Sequence, residues 1–246
     1  MTIKDGILKE DKKLVSFLMI GQSNMAGRGD FGEVPEIVNP NCFMMRNGRW
    51  INMSEPINLD RAVFGVDFHS GVGLSASFAD EYAKYFKEDI GLVPCADGGT
   101  SLSQWMPGEI LYDNAVNNAK LAKRTSEIAG ILWHQGENDS INENDAITYS
   151  ERFIHMITSL RKELNAENVP VIVGELGAFA KERLNGKLKY LDTVNSALCQ
   201  MPQKLSLCGF APATDLTHRG DNVHFDSKSY RILGRRYFEA YLRCVE

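Results

Sequence analysis

The sequence predicts an α/β fold, a parallel sheet covered by helices on both faces. Three observations predict it. Short apolar runs alternate with longer amphipathic segments along the chain. The runs are apolar throughout rather than at every second residue, as in strands buried on both faces. Three of them end on glycine-rich or polar turns, and in open sheets of this kind ligands gather beyond the carboxyl ends of the strands.

The elements follow in order. "KLVSFLMIG" (Lys13–Gly21) reads as the first strand. "NCFMMRNGRWINM" reads as a second strand with a turn at Asn47–Gly48. "GLSASFADEYAKYF" (Gly73–Phe86) sets Leu74, Phe78, Tyr82 and Tyr85 at helical spacing. Ile90–Gly99 is a third strand running into a glycine turn, and Ile110–Thr125 is a helix. Ile128–Gly136 is the fourth strand, Asp145–Asn165 a helix, and Val169–Gly177 a fifth strand opening at a proline. "LKYLDTVNSALCQM" is helical, and Ser206–Ala211 is a further short apolar run. The chain closes with a helix in "DSKSYRILGRRYFEAYLRCV", capped by Asp226 or Ser227. The ends Gly21–Ser23, Ala96–Thr100, His134–Glu137 and Gly174–Gly177 are expected on one edge of the sheet.

Bulk properties narrow the function. A chain of 246 residues suits one domain spanning residues 1–246, with a sizeable core. The net charge of −5 and the scattered Lys and Arg give no basic footprint for nucleic acid. The apolar run near the N-terminus is too short to span a membrane and lacks the order of a signal peptide. The five cysteines (42, 95, 199, 208 and 244) show no CxxC pair. Reduced thiols and a cytoplasmic location are expected.

The turns hold groups that could do chemistry. Ser23 follows the first strand directly in "GQSNMAG". Alone, such a serine is more often a helix cap. A serine hydroxyl attacks poorly unless a base takes its proton. "DNVH" offers that base, with Asp221 three residues before His224. A short loop can bring the carboxylate to Nδ1, fixing the tautomer and aiming Nε2 at the serine. Acyl transfer also needs donors for the developing oxyanion. The candidates are the N–H of Ser23, the N–H of Gly98 or Gly99 in "ADGGTS", and the Gln135 amide in "WHQGENDS". Glu137 either rivals Asp221 in orienting His224 or holds the loop around it. Asn24 can brace the serine loop. Arg28 and Trp105 lie just past the first two blocks and could line a sugar site; Trp105 could equally be core.

"GQSNMAG", "GGTS", "WHQGEND" and "DNVHF" occur in that order and resemble the successive blocks of the SGNH hydrolase superfamily. The form is similar to the branch of sialate O-acetylesterases and acetylxylan esterases (carbohydrate esterase family six). The blocks run from residue 21 to 225, nearly the whole chain. The resemblance implies a three-layer α/β/α sandwich with a five-stranded parallel sheet, SGNH/flavodoxin-like in order. It implies Ser23 as nucleophile, His224 as base and Asp221 as orienting acid. It implies an oxyanion hole from Ser23, a glycine of the second block, here taken as Gly99, and Gln135, which stands where much of the superfamily has asparagine.

Together these give a serine esterase that removes O-acetyl groups from a small carbohydrate through an acetyl-enzyme. The acetyl preference comes from the resemblance. No metal or organic cofactor is required. Two rivals stand beside this reading. His134, Glu137, Asp139, His218, Asp221, His224 and Asp226 offer ligands for a metal-dependent hydrolase, although no HExxH pattern occurs. The same fold could also carry a catalytically inactive carbohydrate-binding protein. A nucleotide site is excluded, since the glycines form neither GxGxxG nor a P-loop.

Overall fold

The computed structural model describes residues 3–4, 7–8, 14–59, 63 and 70–246. Lys13 and His69 lie outside the described residues. The strands are β1 (Ile3–Lys4), β2 (Ile7–Leu8), β3 (Leu14–Gly21), β4 (Cys42–Arg46), β5 (Arg49–Asn52), β6 (Ile90–Pro94), β7 (Ser126–His134), β8 (Val171–Gly174) and β9 (Cys208–Ala211). The helices are α1 (Ser23–Ala26), α2 (Leu74–Phe86), α3 (Ile110–Ala122), α4 (Glu143–Ile147), α5 (Tyr149–Glu163), α6 (Leu191–Cys199), α7 (Met201–Lys204) and α8 (Ser227–Val245).

One sheet holds these strands in the order β1-β2-β5-β4-β6-β3-β7-β8-β9. From β4 to β9 every pairing is parallel. The sheet is wider than the five parallel strands expected. The sixth parallel strand is β9, formed from the stretch that reads in the sequence only as a short apolar run, and at the other side Arg49–Asn52 folds back on β4 as a hairpin. The local reason is the Asn47–Gly48 turn, where both residues have positive φ. Among the parallel strands the chain enters in the middle at β3, passes to β4 and then to β6 on one side, and crosses to β7 on the other. In open α/β sheets ligands bind where the strand order reverses in this way, here at the carboxyl ends of β3, β6 and β7.

β3 shows why the strands are apolar throughout. Leu14, Leu18 and Ile20 enter one core, while Phe17 and Met19 enter the other. The first core lies under α3, α5 and α6, the second under α2 and α8. Phe17 meets Phe78, Tyr82 and Tyr241 edge-on, with ring centroids 4.8–5.1 Å apart. The helix expected over Asp145–Asn165 is two, α4 and α5, joined at Thr148. Asp226 caps α8 by accepting the Ser229 N–H at 2.7 Å.

Candidate active site

The serine is delivered by a strand that has no room to continue straight. Gly21 sits at φ +130°, and a Cβ there would lie 2.2 Å from the His134 carbonyl. Only glycine tolerates this close approach. The sheet still holds the exit, through Gln22 N–H to His134 O and Asp97 N–H to Gly21 O, both 2.9 Å. Ser23 then opens α1. Among the described residues its backbone N–H donates to no protein group, as befits the first turn of a helix.

The loop before α8 brings the candidate base. His224 Nε2 lies 3.0 Å from Ser23 Oγ, across 201 positions of sequence. Asp221 Oδ2 lies 2.6 Å from His224 Nδ1. The other oxygen, Oδ1, accepts the N–H groups of Val223 (3.0 Å) and His224 (2.8 Å). Burial alone would raise the Asp221 pKa, but the hydrogen bonds from His224 and Val223 hold it below the usual carboxylate value. Ser23, His224 and Asp221 are thus brought into one hydrogen-bonded chain.

Asn24 ties the serine turn to the loop and helix that follow Asp221. Its Nδ2 donates to Glu137 Oε1 (2.5 Å) and Val223 O (3.0 Å). Its Oδ1 accepts from Tyr230 Oη (2.6 Å) and Phe225 N–H (3.4 Å). Every hydrogen-bonding position of this buried amide is filled, so the serine helix and the histidine loop are fixed relative to each other. Glu137 is buried and takes the bracing position on Asn24.

The oxyanion side departs from expectation at Gln135. Its side chain is fully buried. Nε2 donates to Asp139 Oδ2 (2.6 Å) and Thr100 O (3.0 Å), with Gln22 Oε1 at 3.3 Å. Oε1 accepts from Tyr149 Oη at 3.1 Å. An amide with two N–H groups so engaged has none left for a ligand. The third and longest Nε2 contact reaches Gln22 Oε1, on the residue just before Ser23. Gln22 is missed from sequence because a glutamine beside a glycine in a turn carries no signal of its own. Gly99 sits at φ +73°, and its N–H is unengaged in the described backbone bonds, while Asn138 holds its carbonyl.

Arg28 and Trp105 also differ from expectation. Arg28 is buried, and its guanidinium donates to Gly27 O (2.9 Å) and Ser23 O (3.4 Å). That draws it into the serine loop rather than toward a sugar. Trp105 is 1 % exposed, edge-on to Trp133, and bonds Thr100 Oγ1 at 3.1 Å. It packs in the core and supports the second block from below.

The family model "Carbohydrate esterase, sialic acid-specific acetylesterase" (SASA) matches residues 13–243, a span that includes every residue of the site. The chain belongs to the SASA family. As a SASA member it is a carboxylic ester hydrolase of the carbohydrate acetylesterase class. A probable carbohydrate esterase of Arabidopsis thaliana is 31 % identical, over 92 % of this chain and 89 % of its own length. A solved structure of an Arabidopsis thaliana protein superimposes with a TM-score of 0.83 at 29 % identity, covering 94 % of this chain and 99 % of that one. NanS shares the fold at a TM-score of 0.76 and 16 % identity, covering 96 % and 98 %. A carbohydrate acetylesterase from Xanthomonas citri shares it at 0.68 and 20 %, covering 94 % and 56 %. No helix among the described residues is long and apolar enough to cross a membrane.

The floor of this SASA site has a pH consequence. His134, at the end of β7, is fully buried, and burial pushes its pKa down to about 3. Tyr237 Oη donates to Trp133 O (2.7 Å) and so accepts from His134 Nδ1 at 2.9 Å. An unfolded chain takes up a proton at this histidine near pH 6.5, while the folded one refuses it until about pH 3. Stability from this group is therefore complete above pH 6.5 and is lost as the pH falls. From pH 6.5 to pH 5 the loss is about 2 kcal/mol. Urea unfolding at pH 7 and pH 5 measures it; equal stabilities at the two values would refute the assignment.

Proposed function

We propose that residues 1–246 act as a single SGNH-type hydrolase domain, a serine esterase that removes O-acetyl groups from a carbohydrate through an acetyl-enzyme. The observation that carries this is the continuous chain Asp221–His224–Ser23, at 2.6 Å and 3.0 Å. Ser23 Oγ attacks the ester carbonyl as His224 Nε2 takes its proton. Asp221 keeps the ring proton on Nδ1 and stabilises the imidazolium. The oxyanion is met by the N–H groups of Ser23 and Gly99 and by the Gln22 amide, whose Oε1 lies 3.3 Å from Gln135 Nε2. His224 returns the proton to the sugar oxygen, and the acetyl group stays on Ser23. Water then attacks the acetyl-enzyme with His224 again as base, releasing acetate. The five cysteines are unpaired, which supports a reducing, cytoplasmic setting.

Acetate release from p-nitrophenyl acetate and from a panel of acetylated xylo-oligosaccharides and sialic acids tests the function. Turnover is expected to persist in EDTA, which separates this reading from a metal-dependent hydrolase. Sugar binding without acetate release would identify an inactive binding protein instead. Replacing Gln22 by Leu is expected to lower kcat about 10²-fold, the usual cost of one oxyanion donor, and KM little.

A further inference from the structure

The loop that carries the base is held by a second acceptor, outside the Asp221–His224 pair. Residues 217–226 form a narrow hairpin: Asp226 N–H bonds Thr217 O (3.1 Å), Arg219 N–H bonds His224 O (3.0 Å), and His218 bridges to Phe225. The tip between them is not a shape the chain adopts by preference. Gly220 has φ +107° and Asn222 φ +55°, one on each side of Asp221. What shapes the tip is where its N–H groups go. Val223 and His224 donate to Asp221 Oδ1. Gly220 and Asn222 both donate to His218 Nδ1, at 3.0 Å and 3.2 Å. Two donors on one ring nitrogen require its lone pair, so the neutral ring carries its proton on Nε2. The ring is in turn seated against Phe179, 5.2 Å between centroids, and Phe179 packs edge-on against Phe225.

We propose that His218 is a positioning residue for the reaction, its Nδ1 acting as the acceptor that folds the loop tip so that Asp221 and His224 stand in line with Ser23. The role rests on the reading of His224 as the base. The N–H groups of Gly220 and Asn222 flank the Asp221 carboxylate in sequence. Without an acceptor, those peptides are free to rotate toward solvent, and the carboxylate rotates with them. A displacement of about 1 Å in a reacting group can cost about 10²-fold in rate. Substrate contacts are untouched, so the loss falls on kcat.

Two substitutions separate the acceptor from the ring. In His218→Asn, Oδ1 stands where Nδ1 stood but the ring is gone. In His218→Phe the ring stays against Phe179 but the acceptor is gone. With p-nitrophenyl acetate, the Asn variant is expected to keep kcat within about threefold of the parent, and the Phe variant to lose about 10- to 100-fold with KM nearly unchanged. Thermal melts of both check that the fold is kept; should the Phe variant not fold, His218→Leu carries the same expectation. Equal losses in the two variants, the reverse order, or full activity in the Phe variant would each overturn the proposal. His224→Ala distinguishes its failure from that of the underlying reading. If His224→Ala still turns over, the base assignment itself is wrong. If His224→Ala is dead while His218→Phe is unimpaired, only the positioning role falls.

Discussion

Ser23→Ala is expected to abolish acetate release, lowering kcat on the order of 10⁴-fold or more. His224→Ala is expected to match it, and the double variant to be no worse than either single one. Such non-additivity is the mark of groups that act in one step. The fold should not be at stake, because Ser23 Oγ meets the His224 ring and the serine loop is held elsewhere, by Asn24 and Arg28. A melting temperature close to the parent is therefore expected for Ser23→Ala. An aryl phosphonate should label the parent once, at Ser23, as shown by peptide mass, and leave Ser23→Ala unlabelled. Residual activity near the parent in either single variant would remove the acyl-enzyme mechanism.

Asp221→Asn should be nearly as damaging, lowering kcat about 10³–10⁴-fold. An asparagine can present its N–H₂ to His224 Nδ1, which then accepts, and the ring proton moves to Nε2, where it faces Ser23 and blocks deprotonation. The pH profile carries a second signature. Activity falls on the acid side as the imidazole is protonated. Asp221 is held ionised below the usual carboxylate range, so it adds no limb of its own there. Removing its charge destabilises the imidazolium, and the acid limb of Asp221→Asn is expected to move to lower pH. Glu137→Gln, which alters the brace on Asn24, is expected to cost about tenfold. If Glu137→Gln proved the more damaging of the two, the orienting acid would have to be reassigned.

The main frame was legible because it depends on local pattern. Apolar runs gave β3, β6, β7 and β8, and the parallel order follows from their alternation with helices. Ser23, Asp221 and His224 stood out because their residue types match a chemistry that needs all three. The pairing of Gln22 with Gln135 was not legible, since it is decided by Asp139, Thr100 and Tyr149 converging from separate elements. The same holds for Arg28 and Trp105. A guanidinium or an indole just after a motif looks available to a ligand until the fold supplies Gly27 O and Thr100 Oγ1 as partners. The sixth parallel strand, β9, was hidden in the short run Ser206–Ala211, because four residues carry little pattern and become a strand only by pairing with β8.

On the proposed mechanism, the 201 positions between Ser23 and His224 also bear on when hydrolysis can begin during synthesis. Ser23 leaves the ribosome 201 positions before His224. Asn24 cannot complete its bonds to Val223, Phe225 and Tyr230 until α8 has emerged. A nascent chain that has not yet reached His224 therefore carries Ser23 without its proposed base, and on that mechanism hydrolysis waits until the loop and α8 have closed over the serine.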